Sequence, residues 1–123
     1  MGRSRVDRII EDDEEMQVGE LRVRALLTPG HTAGSTSYEV EIGGRRHVFV
    51  GDEVFYQGFV SVLTAPFSDY EHYYEGLKRL KGRGVDGLFP SHLMWTLQDG
   101  QKHIDKALWD FEVPQRPNLK PFS

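Results

Sequence analysis

Three residues of the 123-residue chain combine a metal-ligating side chain with a position just beyond a strand end: His31, Asp52 and His92. His31 follows Pro29-Gly30, Asp52 follows Val48-Phe49-Val50-Gly51, and His92 follows Phe89-Pro90-Ser91. A sheet fixes where such a loop starts, and the loop chooses where its side chain points, so sites are often built there. Two imidazoles and a carboxylate form a borderline donor set that suits zinc and also accepts manganese or iron, and a carboxylate can bridge two metals. Three protein ligands leave room for a water, which zinc ionises near neutral pH. The plainer reading makes His31 and His92 turn residues and Asp52 a side chain bonded to its own backbone. Their wide spacing forms no self-contained motif, so only a fold can bring the three together.

The other reactive residue types offer less. His47 lies in an arm of a predicted hairpin beside Arg45 and Arg46 and reads as a surface strand residue. His72 and His103 fall in the first turns of two predicted helices and read as solvent-facing or polar-edge residues. Glu71 and Glu75 straddle His72, but no Glu-x-x-His pair occurs to suggest a carboxylate-bridged di-iron site. Ser35 has no Gly-x-Ser-x-Gly around it, which excludes a nucleophile elbow. Gly30 and Gly34 lack the Gly-Lys-Ser or Gly-Lys-Thr ending of a phosphate loop. Tyr70, Tyr73 and Tyr74 sit at helical spacing and are explained by packing rather than as a stacking platform. With zero cysteines, disulfides, thiolate metal sites and cysteine nucleophiles are all excluded.

Positioning those loops takes a sheet. Leu21, Val23, Ala25 and Leu27 alternate with Arg22, Arg24 and Leu26 as a strand that Thr28-Pro29-Gly30 ends. Ser37 to Ile42 and His47 to Val50 flank Gly43-Gly44, which predicts a tight hairpin. Phe59 to Leu63 is a weaker strand candidate, interrupted by Gly58 and Pro66. Ser68 with Glu71 makes a capping box, and Tyr70, Tyr73, Tyr74, Leu77 and Leu80 repeat at helical spacing, predicting a helix over 69–81. Lys78, Arg79 and Lys81 suit the dipole at its end, and Gly82-Arg83-Gly84 stops it. Val85 to Phe89 reads as a strand closed by Pro90. Asp99 is placed to cap a second helix with the buried stripe Ile104, Ala107, Leu108 and Phe111. Pro114, Pro117 and Pro121 mark a tail.

These elements give an α+β layer, a sheet with helices on one side. Apolar residues occupy both strand faces, with Leu26, Tyr38, Val40, Ile42, Phe49 and Val50 among them, and two short helices can cover only one. A second copy of the chain, or another chain, is therefore expected on the other face.

Composition sets the class. Hydrophobic residues make up 38% and charged residues 28%, as in a soluble mixed fold of one domain. No apolar run approaches the roughly 20 residues of a membrane span, and the first residues lack the apolar core of a secretory signal, so a soluble, cytoplasmic protein is expected. The net charge of −4 comes from residues 1–20, where seven acids face Arg3, Arg5 and Arg8. That segment, with its run Glu11 to Glu15, reads as a solvated acidic leader rather than a metal site. The balanced remainder argues against nucleic-acid binding.

The stretch Thr28-Pro29-Gly30-His31-Thr32-Ala33-Gly34-Ser35-Thr36 resembles the third metal-binding motif of the metallo-β-lactamase-fold hydrolases. Val48-Phe49-Val50-Gly51-Asp52-Glu53 is similar to the strand and Gly-Asp turn that carry their bridging aspartate, and Phe89-Pro90-Ser91-His92 to their last strand and final histidine. The resemblance implies that His31 belongs to a first metal site, Asp52 bridges, and His92 belongs to a second site. In that family a metal-bound hydroxide attacks a carbonyl. The wording Gly34-Ser35-Thr36 sits nearest the β-lactamase-like branch, and Gly51-Asp52 nearer the thioesterase and lactonase branches.

The family's His-x-His-x-Asp-His motif does not occur in the chain. The reading that follows is a C-terminal half of an αββα sandwich over residues 19–112, preceded by an acidic leader at 1–18 and followed by a proline-containing tail at 113–123. Its implied function is an incomplete metal-dependent hydrolase module. Hydrolysis of an ester, thioester, lactone or β-lactam is expected only after complementation by an N-terminal half-domain chain, so the isolated chain is expected to be inactive. The competing reading is a non-catalytic interaction protein that uses the half-fold for homodimerisation. Zinc is the expected metal, and neither nucleic acid nor membrane is an expected partner.

Overall fold

Alternation of apolar and polar residues from Leu21 onward does produce a sheet, and it is wider than the sequence suggested. The computed structural model describes residues 5–60 and 70–112. Strands β1 (Glu15–Val18), β2 (Leu21–Leu27), β3 (Thr36–Ile42), β4 (Arg45–Gly51) and β5 (Gly87–Pro90) lie side by side in sequence order. The first four are antiparallel, and β5 joins β4 in parallel. Helix α1 (Tyr70–Lys78) lies between β4 and β5, and α2 (Gln101–Glu112) follows β5. This is a mostly antiparallel sheet with two helices on one face, an α+β arrangement consistent with half of a metallo-β-lactamase-like sandwich.

The β3–β4 turn forms at the predicted glycine pair, with φ of +59° at Gly43 and +77° at Gly44. Positive φ at both central residues is what a tight two-residue hairpin needs, because its twist then matches that of the strands. Helix α1 is shorter than the predicted 69–81. Its last turn tightens into three-residue bonds from Arg79, Leu80 and Lys81 to Gly76, Leu77 and Lys78, before the backbone turns left-handed at Gly82. Ser68, most of the Phe59–Leu63 candidate strand and the tail prolines lie outside the described residues. Asp99 takes a left-handed backbone, φ +56°, and its carbonyl accepts from Lys102 N.

Strand β1 was not anticipated. It belongs to the segment read as a solvated leader, and its side chains are mostly exposed, which removes the alternating signal. Backbone bonds hold the segment: Asp13 N donates to Ala25 O at 2.8 Å, and Ala25 N to Glu14 O at 2.9 Å. Asp12 accepts from Leu27 N and forms a two-point ion pair with Arg79 of the turn after α1, at 2.6 and 2.9 Å.

The core lies between sheet and helices. Leu26, Val48, Val50 and Leu88 from the strands meet Tyr73, Leu77 and Leu80 of α1 and its final turn, and the predicted stripe of α2. The stripe periodicity places these residues on one helix face, and burial from water of a side chain such as Leu88 contributes roughly 1.5–3 kcal/mol each. Among the described residues no helix is long and apolar enough to cross a membrane.

Candidate metal centre

Three loops converge at the ends of β2, β4 and β5. The loop after β2 is knotted locally: Thr28 N donates to Ser35 O at 2.9 Å, Gly30 N to Thr32 O at 3.1 Å, and Thr32 N to Ser35 Oγ at 3.1 Å. Its base is pinned by a buried hydrogen bond between the Thr28 and Ser37 hydroxyls, 2.8 Å long. Gly30 packs so closely on α1 that a Cβ there would lie 2.5 Å from the Tyr73 ring. These contacts fix the direction from which His31 leaves the loop.

At the end of β4 the register with β5 slips between Phe49 and Gly51, and Gly51 takes a φ of +58°. Such an irregularity bends a strand and re-aims the side chains that follow. Tyr73 Oη donates to the carbonyls of both Asp52 and Glu53, at 3.0 and 2.5 Å, and so holds the turn that carries Asp52. Ser91 N donates to Gly51 O at 2.8 Å, which ties the loop bearing His92 to the same turn.

The result brings the three sequence-derived candidates together. His31 Nε2 lies 3.6 Å from Asp52 Oδ2, and His92 Nε2 lies 3.5 Å from Asp52 Oδ1. Each carboxylate oxygen therefore faces a different imidazole. Two ligands bound at about 2.0–2.2 Å to one tetrahedral zinc sit roughly 3.4 Å apart, so both spacings suit donors that share an ion better than a direct hydrogen bond. Asp52 Oδ1 is buried and accepts no hydrogen bond among the described residues, which is a cost unless a cation or donor is supplied. The donor chemistry and the orphaned oxygen fit a metal. Among the described residues, however, no group of three or more His, Cys, Asp or Glu side chains is arranged to hold one ion. What is present is two donor pairs that share one carboxylate.

Two further groups escaped the sequence reading. Glu53 is fully buried, neither carboxylate oxygen has a hydrogen-bond partner among the described residues, and burial pushes its pKa up to about 9. Gly76 of α1 leaves it room, since a Cβ there would come within 2.6 Å of Oε1. A glutamate after the Gly-Asp turn gave no sign of burial. Tyr73 was read correctly as core, but no spacing rule reveals that its hydroxyl reaches the Asp52 turn.

The remaining histidines separate. His72 is exposed, as expected. His103 is not: it is 3% exposed, packs 4.3 Å from the Tyr56 ring, and its Nδ1 accepts from Gln57 N at 2.9 Å. Burial, and then the charge of Lys102, lowers its pKa. His47 lies against Phe89 with ring centroids 5.9 Å apart, half-buried in the sheet rather than free on the surface.

The metallo-beta-lactamase superfamily model matches residues 2–92. A probable polyketide biosynthesis zinc-dependent hydrolase, PksB of Bacillus subtilis, is 32% identical over an alignment covering 90% of this chain and 52% of that protein. Glyoxylase B2 of Dictyostelium discoideum is 44% identical over 42% of this chain and 17% of its own length. Among solved structures, an archaeal metallo-beta-lactamase superfamily protein from Sulfolobus tokodaii superposes with a TM-score of 0.65 at 26% identity, covering 90% of this chain and 41% of that one. A metallo-beta-lactamase family protein from Thermus thermophilus shares the fold, with a TM-score of 0.69 at 21% identity over 84% of this chain and 34% of its own. The chain thus spans about half, or less, of the length of these relatives.

One expectation is overturned. The resemblance was confined to a C-terminal half over residues 19–112, but the family match begins at residue 2 and similarity takes in most of the chain. The reason is visible in the sheet, where the acidic segment supplies β1 and the Asp12 anchor instead of trailing in solvent.

Proposed function

The chain belongs to the metallo-β-lactamase superfamily, and from that premise we propose that it is a metal-binding hydrolase module in which His31, Asp52 and His92 are the ligands. Asp52 carries the proposal, because it divides its two oxygens between two imidazoles at 3.6 and 3.5 Å and, among the described residues, leaves Oδ1 otherwise without a hydrogen bond. Zinc is the first choice, supported by the donor set and by the zinc-dependent relative, while manganese and iron accept the same donors. When bound, the metal would supply Lewis acidity, polarising a carbonyl and bringing the ionisation of a water near neutral pH.

The chain's own residues hold the geometry. The Thr32–Ser35 turn directs His31, Tyr73 clamps the Asp52 and Glu53 carbonyls, and the Ser91–Gly51 bond keeps His92 beside Asp52. Hydrolysis of an ester, thioester, lactone or β-lactam would need further donors from a complementary half-domain chain. A second reading, a half-fold kept for assembly without catalysis, is favoured by the lack of a three-donor group among the described residues.

The test is a hydrolysis panel of those four substrate types with zinc. It compares the chain alone with the chain mixed with the segment of the Bacillus subtilis relative that lies outside the aligned region. The expected result is turnover only in the mixture, lost in Asp52→Asn. A silent mixture would overturn the hydrolase reading in favour of the second.

A further inference from the structure

His103 is a buried imidazole that the candidate metal centre does not use. It sits in the first turn of α2, and Gln57 N donates to its Nδ1 at 2.9 Å. An imidazole that accepts at Nδ1 carries its proton on Nε2, and Nε2 is buried with no hydrogen-bond partner among the described residues. The bond from Gln57 therefore exists only while the ring is neutral.

The donor belongs to the three-residue turn Tyr56–Gly58, which follows Asp52 closely. Gly58 N donates to Phe55 O at 2.9 Å and Phe55 N to Phe59 O at 2.7 Å, while Gln57 takes a left-handed backbone, φ +65°, which is unfavourable for a residue with a Cβ. At Gly58 a Cβ would lie 2.9 Å from Ala107 N, so the turn lies directly on α2. The other end of the turn reaches the metal centre. Phe55 is buried and packs on the His92 ring with centroids 6.2 Å apart, whereas the His92 side chain is otherwise 73% exposed.

We propose that His103 is a positioning residue for the metal centre: as a neutral acceptor it docks the 55–59 turn on α2, which seats Phe55 against His92, and its protonation undocks the turn. A fixed acceptor such as an amide oxygen would hold the turn at every pH. Imidazole is an acceptor that acid converts into a donor, and a protonated Nδ1 would confront the Gln57 N–H. Among the described residues no carboxylate pairs with His103 to favour the cation. The titratable groups about it are the Tyr56 phenol from the turn, whose ring lies 4.3 Å away, and Lys102 and Lys106 from α2, the second with its ammonium on Asp110. Burial, and then Lys102, holds the ring's pKa below its ordinary 6.5, so docking is complete above that value and is lost as pH falls below it. The inference touches the metal reading only through His92 and is tested without metal, so either can fail alone.

Hydrogen exchange of the Gln57 amide, read by nuclear magnetic resonance on the metal-free full chain from about pH 7.5 to about pH 4.5, tests it, together with the proton–proton contact between the Phe55 and His92 rings. His103→Asn offers a non-titrating oxygen in place of Nδ1, and His103→Leu keeps bulk without an acceptor. The Ala25 amide, bonded to Glu14 O, is the internal control. Expected in the parent is a loss of Gln57 protection by about tenfold or more on acidification, and of the Phe55–His92 contact with it. His103→Asn should stay protected across the range, and His103→Leu should lose about tenfold already at pH 7.5, with Ala25 unmoved throughout. Should His103→Leu fail to fold, the parent against His103→Asn carries the comparison. A Gln57 amide as protected in His103→Leu as in the parent, a parent and His103→Asn that lose protection in parallel, or a Phe55–His92 contact that survives the opening of the turn would each overturn the proposal.

Discussion

Glu39 and Asp52 are both acids of the same sheet, yet their surroundings are opposite. Glu39 lies mid-strand in β3, nearly buried, and is saturated: Arg83 donates to both of its oxygens at 3.0 and 2.9 Å, and Arg46 approaches at 3.3 Å. Asp52 lies beyond the end of β4, where among the described residues no arginine or lysine pairs with it and two imidazoles face its oxygens. A carboxylate that only has to hold a fold is given its cations by the fold. One that is left with a buried, unsatisfied oxygen implies a partner that the side chains do not provide.

The contrast can be sharpened first at Glu53, where the largest effect is expected. Its folded pKa of about 9 stands above the unfolded value of 4.5, so between those values the unfolded chain is ionised while the folded one stays protonated. Stability therefore falls as pH rises from about 4.5 to about 9, by up to roughly 1.4 kcal/mol per unit from this group, and levels off above. In Glu53→Gln that slope should vanish, as urea melts at a series of pH values would reveal. An unchanged slope would place the carboxylate in a polar environment after all.

At Glu39 the expected effect is smaller and of another kind. Glu39→Gln leaves the guanidinium groups of Arg83 and Arg46 without their counter-charge and should cost about 2–4 kcal/mol. The loss should appear in denaturant melts at neutral pH, with zinc binding untouched. Tyr73→Phe removes one hydroxyl from the Asp52 and Glu53 carbonyls and should cost about 1 kcal/mol in the same melts, while weakening zinc binding measurably, because it frees the turn that aims Asp52. Equal zinc affinity in Tyr73→Phe and parent would mean that the turn keeps its shape without the clamp.

Much of this frame was legible in the sequence because it rests on local rules. Gly43-Gly44 announces its hairpin through φ, Leu77, Leu80, Ile104 and Leu108 announce their helix faces through spacing, and His31, Asp52 and His92 stand out as donors at strand ends. Strand β1 was hidden because Glu15 and Gln17 pair their backbones without burying an apolar stripe, so charge masked the pairing. The burial of Glu53 and His103 depends on helices packed from distant parts of the chain, and no local pattern encodes that. The Tyr73 clamp is hidden for the same reason, since ring and hydroxyl serve two different elements.

The central claim is that Asp52, with His31 and His92, holds a metal. The most direct measurement is metal analysis of the chain after zinc loading and gel filtration, run beside Asp52→Asn and with His72→Ala as a control away from the three loops. The account predicts zinc retained by the parent and by His72→Ala, and lost from Asp52→Asn, whose circular dichroism should match the parent. A parent that emerges free of zinc, or an Asp52→Asn variant that retains as much as the parent, would contradict it.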